Sequence, residues 1–385
     1  MQLAMTNLDR LKGASRRGLI AAVALSWAVA TAGAAEPILV GQSAVLTGPL
    51  TPNSLAFIEG QKLLFDQVNQ AGGIGGRPIK LITYDDAYSP DKAAANAEKL
   101  IAVDRVVCLF GTMGTGIGAA MATVAAKHDT FIFGGLTGAA VLRGPKAPIY
   151  HVRESYADEV QRVVTHLTTI GVTRIAVVSS NDAYGKGIEK DAVAALEKSG
   201  HPAVLALRFD PTEKDLSRTA QEIVASGAQA VYVVAAGMPA INIIRSVVDS
   251  KVHPQIYTNS VASSFLLHKE LGERSRGIVL SQVVPPFWKT RIPIVEQYQR
   301  ARKASPNSKG EGSYLGLEGY ITAKAFAQAL QRVKGPITTE SLRHSIENAP
   351  PMDLGGFVLA FRRDNKNGSS FGDITLLGSG GKFAQ

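Results

Sequence analysis

The chain has 385 residues, a formal net charge of +9 and 19% charged side chains, enough for about two domains once a leader is set aside. The charges are scattered rather than gathered into a basic arm, which argues against nucleic acid as a partner. The single cysteine, Cys108, lies in the apolar run 106–110, so an intramolecular disulfide is excluded and the thiol reads as a small buried core group.

Residues 1–35 carry Arg10, Lys12, Arg16 and Arg17, then an apolar stretch over 19–30, then small residues ending in Ala34 and Ala35. This order predicts a cleaved secretory signal, because a membrane span needs about 20 apolar residues. Sec and twin-arginine routes both fit Arg16-Arg17. Removal of the leader takes four basic residues and one acidic residue, which lowers the net charge from +9 to +6.

The mature chain opens with a strand over 38–45, a loop Leu46-Thr47-Gly48-Pro49, an amphipathic helix over 55–68 and a strand over 78–84. Asn69 to Gly76 supplies the glycines that stop that helix. The alternation continues with a helix over 91–103, a strand over 106–110, a helix over 115–128 and a strand over 130–133. A second series follows: helix 157–170, strand 174–179, helix 186–198, strand 203–209, helix 215–226, strand 230–234, helix 239–249 and strand 255–257. Strands alternating with helices of this length predict parallel sheets covered on both faces.

The two series share local detail. Asp85-Asp86-Ala87-Tyr88 follows the second strand of the first, and Asp210-Pro211-Thr212-Glu213 follows the second strand of the second. Such self-similarity predicts two lobes of one α/β architecture, with a ligand cleft between their strand ends. Past residue 281 the order changes to helices over 292–303, 314–333 and 339–347, then strands over 355–361 and 373–377. These read as additions to both lobes.

Gly111-Thr112-Met113-Gly114-Thr115-Gly116-Ile117-Gly118 lies between a strand and a helix, where backbone N–H groups and hydroxyls hold an anion. Read as a dinucleotide fingerprint it lacks its acidic partner, because strand 130–133 ends in Gly134-Gly135. Leu136-Thr137-Gly138-Ala139 offers another hydroxyl on the same edge. In the second series the loop Asn181 to Gly187 aims Tyr184 toward the cleft, while Gly237 and Asn259 stand after later strands without adding charge. The seven histidines show no paired ligand spacing, and neither a G-x-S-x-G elbow nor a phosphate-binding P-loop is present. No metal, cofactor or catalytic set is therefore expected. Asp85 and Asp86 read as a strand-end cap or a bridge to Lys92 rather than as paired acids.

Four segments together, Leu46-Thr47-Gly48-Pro49, Asn69 to Gly76 with Tyr84-Asp85-Asp86, Tyr184-Gly185-Lys186-Gly187, and Leu317-Glu318-Gly319-Tyr320, resemble the leucine/isoleucine/valine-binding proteins, type I periplasmic binding proteins of ABC transporters. The resemblance spans 38–377. It implies two Rossmann-like lobes with parallel sheets joined by a three-strand hinge, a signal peptide over 1–35, lobe I over 36–154 plus 285–353, and lobe II over 155–284 plus 354–385. It further implies a non-enzymatic, monomeric periplasmic receptor that closes on a small ligand and docks on an inner-membrane permease. By position it assigns Thr115, Gly116, Leu136 and Thr137 to a ligand carboxylate and packs Tyr184 on the ligand. Where relatives that bind α-amino acids place an aromatic residue and a carboxylate about the ammonium, this chain has Gly237 and Asn259, and Leu50, Pro52 and Asn53 replace an aromatic wall. A carboxylate or amide other than a branched-chain amino acid is the expected ligand. The alternatives are a ligand sensor on the same fold and a Rossmann-type oxidoreductase.

Overall fold

The computed structural model describes residues 35–250, 252–308 and 312–384. The leader reading, apart from Ala35, therefore lies outside the described residues. From Pro37 to Gln385 the chain forms one compact unit containing two large sheets.

Strands β1 (Ile38–Ala44), β2 (Ile79–Asp85), β3 (Leu109–Phe110), β4 (Ile132–Phe133) and β5 (Ile149–Tyr150) form an all-parallel sheet in the order β2-β1-β3-β4-β5. Its interior strands β3 and β4 are two-residue apolar runs, buried because helices cover both faces of the sheet. Helices Pro90–Ala102 and Thr115–Lys127 lie on one face over Leu100, Leu109 and Met121. Helices Thr51–Gln70 and Tyr314–Arg332 lie on the other, over Phe110, Phe133 and Phe326. These last two helices touch backbone to backbone: a Cβ on Gly319 would stand 2.0 Å from Phe57 O, and one on Gly60 would stand 1.8 Å from Gly316 O. Glycine is required there by contact, which gives Gly319 of the Leu317-Glu318-Gly319-Tyr320 run its physical role.

Strands β6 (Ile175–Ser180), β7 (Leu205–Phe209), β8 (Ala230–Val234), β9 (Gln255–Thr258) and β10 (Val279–Gln282) build a second parallel sheet in the order β7-β6-β8-β9-β10. Helices Tyr156–Thr169 and Ala183–Lys198 cover one face, and Ser217–Ala225, Gly237–Val248 and Ser264–Leu271 the other. Tyr156–Thr169 starts in a capping box in which Ser155 Oγ accepts from Asp158 N at 3.1 Å and Asp158 Oδ2 accepts from Ser155 N at 3.3 Å.

The C-terminal part departs from the all-parallel expectation. A hairpin of β11 (Met352–Asp353) and β12 (Val358–Leu359) packs Leu354, Phe357 and Leu359 into the core of the first sheet. The chain crosses to the second sheet only after Leu359. There β13 (Asp373–Leu377) and β14 (Phe383–Ala384) add antiparallel strands beyond β10. The lobe boundary at 353–354 thus shifts downstream, because the apolar side chains of this hairpin match the first core. The other two crossings run from Tyr150 to Tyr156 and from Gln282 to Pro293. The second carries Trp288, which stacks on Phe383 at 4.5 Å and 11° with Phe287 and Tyr314 set edge-on to it.

Candidate ligand cleft

All strands from β1 to β10 run parallel within their sheets, so each sheet gathers its C-terminal loops on one edge, where α/β proteins place their sites. The two edges face each other. Leu50, from the loop after β1, lies against Gly237 after β8: a Cβ on Gly237 would stand 2.5 Å from Leu50 Cδ2 and 3.1 Å from Pro49 O. Gly237 has φ +57°, so both its backbone and its surroundings call for glycine. Asn53 Nδ2 crosses to donate to Val261 O at 2.7 Å.

The loop after β1 is held by a single carboxylate. Asp85 accepts from Leu46 N at 2.9 Å, Thr47 N at 3.3 Å, Thr47 Oγ1 at 2.6 Å and Ala87 N at 2.9 Å. The hydrogen bonds, led by that from the Thr47 hydroxyl, hold its pKa below the ordinary carboxylate value. Among the described residues no Asp85 or Asp86 bridge to Lys92 forms. Asp86 is instead buried, accepts from Ser43 Oγ at 2.8 Å and from Tyr88 N at 2.9 Å, and is raised by burial.

Thr115 opens helix Thr115–Lys127 behind Gly114, whose φ of +103° turns the chain without a capping side chain. Leu136 N donates to Thr112 O at 2.6 Å, which zips the loops after β3 and β4 together. The zip brings Thr115 Oγ1 to 3.2 Å from Thr137 Oγ1. Gly116 faces Ala183 of the opposite lobe, with room for a Cβ at 4.0 Å from Ala183 Cβ.

Tyr184 departs from expectation. It is buried in the first turn of helix Ala183–Lys198 rather than exposed on a loop, because Asp182 caps that helix by accepting from Gly185 N at 2.8 Å. Its hydroxyl donates to Asn259 Oδ1 at 2.8 Å, and its ring meets Tyr156 edge-on at 5.2 Å. Burial raises the Tyr184 pKa well above the ordinary phenol value. With Oδ1 taken by Tyr184, Asn259 Nδ2 is buried without a partner, as is Tyr232 Oη.

The structure pairs Thr115 with Thr137 and Tyr184 with Asn259, sets Thr115 and Tyr184 on one cavity as its polar floor, places Gly116 and Gly237 at lobe-to-lobe contacts, and buries Leu136 beneath the apolar rim formed by Leu50 and Met113. Tyr156 and Tyr88 were not legible as site residues from the chain alone, and Ser260, beside Asn259 after β9, was legible only as an uncharged pocket-lining position. Ser260 belongs to a buried ionic group: Arg153 Nε sits 2.9 Å from Glu318 Oε1, Arg153 Nη2 donates to Ser260 Oγ at 2.6 Å, and Glu159 accepts from Ser260 N, Ser260 Oγ and Ser281 Oγ. Burial pushes the Glu318 carboxyl up to about 7, with Arg153 pulling the other way. Glu159 and Glu318 are thus committed to partners inside the protein, while Asp191 lines the cavity that Thr115, Tyr156 and Tyr184 share.

A family model for periplasmic binding proteins matches residues 37–377. The chain belongs to the periplasmic binding protein family, of the leucine/isoleucine/valine-binding type. An amino acid binding protein of Pseudomonas aeruginosa is 27% identical over 221 residues, 56% of this chain and 59% of that protein. The chain thus spans about three fifths of that relative. A Leu/Ile/Val-binding protein homolog of Brucella abortus is 23% identical over 90% of this chain and 91% of its own. Among solved structures, a possible leucine/isoleucine/valine-binding protein from Rhodopirellula baltica superposes with a TM-score of 0.86 at 26% identity, covering 92% of this chain and 97% of that one. A substrate-binding periplasmic protein from Ralstonia solanacearum gives 0.85 at 28%, covering 90% and 99%. No helix among the described residues is long and apolar enough to cross a membrane.

Proposed function

We propose that the chain is the periplasmic solute-binding component of an ABC-type importer. It closes its lobes on a small carboxylate or amide and presents the closed form to an inner-membrane permease. Thr115, Gly116, Leu136, Thr137, Tyr184, Gly237 and Asn259 are the proposed ligand-facing residues.

One observation carries the ligand class. The floor offers the Thr115 and Thr137 hydroxyls and the unpartnered Asn259 Nδ2, while Glu159 and Glu318 are engaged by Ser260, Ser281 and Arg153. Hydroxyl and amide donors suit carboxylate or carbonyl oxygens, and neither Glu159 nor Glu318 is free to receive a buried ammonium. The curated relatives named for leucine, isoleucine and valine support the amino-acid-type importer, and Gly237 with Asn259 supports the change of cargo.

Thermal-shift screening against amino acids, aromatic acids, dicarboxylates and amides tests the reading, since a ligand of the folded state raises the melting temperature by mass action. Carboxylates or amides without an α-ammonium are expected to stabilise the protein. Sub-micromolar titration of leucine, isoleucine or valine would overturn the ligand class.

A further inference from the structure

The cleft holds a second compartment outside the polar floor. A cavity of about 390 Å³ opens between the lobes, walled by Pro49 and Pro90 from one side, Pro211 and Pro239 from the other, and Tyr88 and Ile117. Asp182 is its one carboxylate, and that group already accepts from Gly185 N and Ser180 Oγ and meets the Tyr88 hydroxyl. No cation lines it. Such walls reject a charged group and accept hydrocarbon.

Tyr88 is placed there against local preference. Ala87 and Tyr88 have φ of +48° and +61°, two consecutive non-glycine residues in the left-handed region. The turn is held by Asp85 Oδ1 accepting from Ala87 N and Asp86 Oδ1 accepting from Tyr88 N, both at 2.9 Å. Strain maintained in this way is a mark of a position serving something other than stability. Its effect is to lay the Tyr88 ring against Gly114, where a Cβ would stand 2.7 Å from Tyr88 Cε2, and to turn the ring toward the prolines.

We infer that this compartment is an aryl subsite and Tyr88 its specificity-determining wall, so that the cargo is a monocarboxylate bearing an aromatic ring. The inference rests on the proposed reading of the cleft as a carboxylate site. At about 30 Å³ per water-sized group, 390 Å³ holds roughly a dozen such groups, well beyond a four-carbon branched side chain. Four rigid proline rings and one tyrosine ring offer flat apolar faces at little entropic cost, which favours a planar body over a flexible chain. Gly116 and Ala183 mark the neck between this compartment and the polar floor, since Gly116 lines it beside Thr115, and Ala183 beside Tyr184.

Isothermal titration of the protein with 3-phenylpropanoate and with 3-methylbutanoate tests this. The aryl acid is expected to bind at least tenfold tighter. Tyr88→Ala should cut that ratio below threefold, and Tyr88→Phe, which keeps the ring, should restore it. Ala183→Leu, a change at an exposed first-turn position that narrows the neck, should also lower the ratio. Equal binding of the two acids, or an unchanged ratio in Tyr88→Ala and Ala183→Leu, would overturn the subsite while leaving the carboxylate reading intact. Absence of binding by both acids would overturn both.

Discussion

Glu154 lies in the first crossing and offers a measurable pH signature. It is 1% exposed, Oε2 accepts from Arg162 Nη2 at 3.0 Å, and Oε1 is buried without a partner. Burial first, and then the Glu159 charge, push its carboxyl up to about 7, with Arg162 opposing. An unfolded chain would titrate near the ordinary 4.5, so between 4.5 and 7 the folded state binds more protons and stability falls as pH rises. The gap between those two values corresponds to about 3 kcal/mol, complete above pH 7. Glu154→Gln is neutral throughout and lacks this loss. Urea denaturation at pH 4.5, 5.5, 6.5 and 7.5, with unchanged slopes, should show the variant gaining on the parent by about 3 kcal/mol across the series. A difference constant within 1 kcal/mol, or one of opposite sign, would refute the account of Glu154 as a carboxyl held up by burial.

Other consequences follow from single contacts. Gly237→Ala adds a Cβ against Leu50 across the cleft and should oppose closure by about 1–3 kcal/mol, weakening ligand affinity about 5- to 150-fold, with Leu50→Ala restoring most of it in a double-mutant cycle. Glu318→Ala leaves Arg153 buried and unpaired and should cost about 3–5 kcal/mol in urea denaturation, whereas replacing both by methionine and leucine should cost much less. Cys108 is fully buried and its thiol is pushed up by burial, so a thiol reagent should label it only at the rate of unfolding and quantitatively in denaturant.

Much of this architecture was legible along the chain because a parallel sheet covered on both faces writes its strands as short apolar runs between amphipathic helices. Strand β8 over Ala230–Val234 and helix Thr339–Glu347 fall where the pattern puts them. What the pattern missed has local reasons. Strand β5 is two residues long, Ile149–Tyr150, too short for any periodicity. Helix Ala183–Lys198 starts three residues early because Asp182 caps a first turn whose Gly185 and Gly187 look like loop. The hairpin Met352–Leu359 reads as a late strand of the second lobe, yet its apolar residues belong to the first core.

At the site, the loops after the strands were visible and so were Thr115, Thr137 and Tyr184. Their partners were not, since Tyr184 reaches Asn259 and Arg153 reaches both Ser260 and Glu318 over separations of 75 to 165 residues. Tyr88 escaped for a different reason. The aspartates beside it read as a strand-end cap or a bridge to Lys92, and only the backbone dihedrals reveal that they hold a tyrosine in a turn it would otherwise avoid.

The aromatic stack in the second crossing gives the molecule an optical property. The sequence has 2 tryptophans, and the one other than Trp288 is Trp27, within the proposed leader. A chain from which that leader is removed carries a lone indole, seated on Phe383 at the joint between the lobes and away from the polar floor. Its emission will register bending of that joint rather than contact with cargo, so lobe movement can be timed in unlabelled protein by stopped-flow mixing.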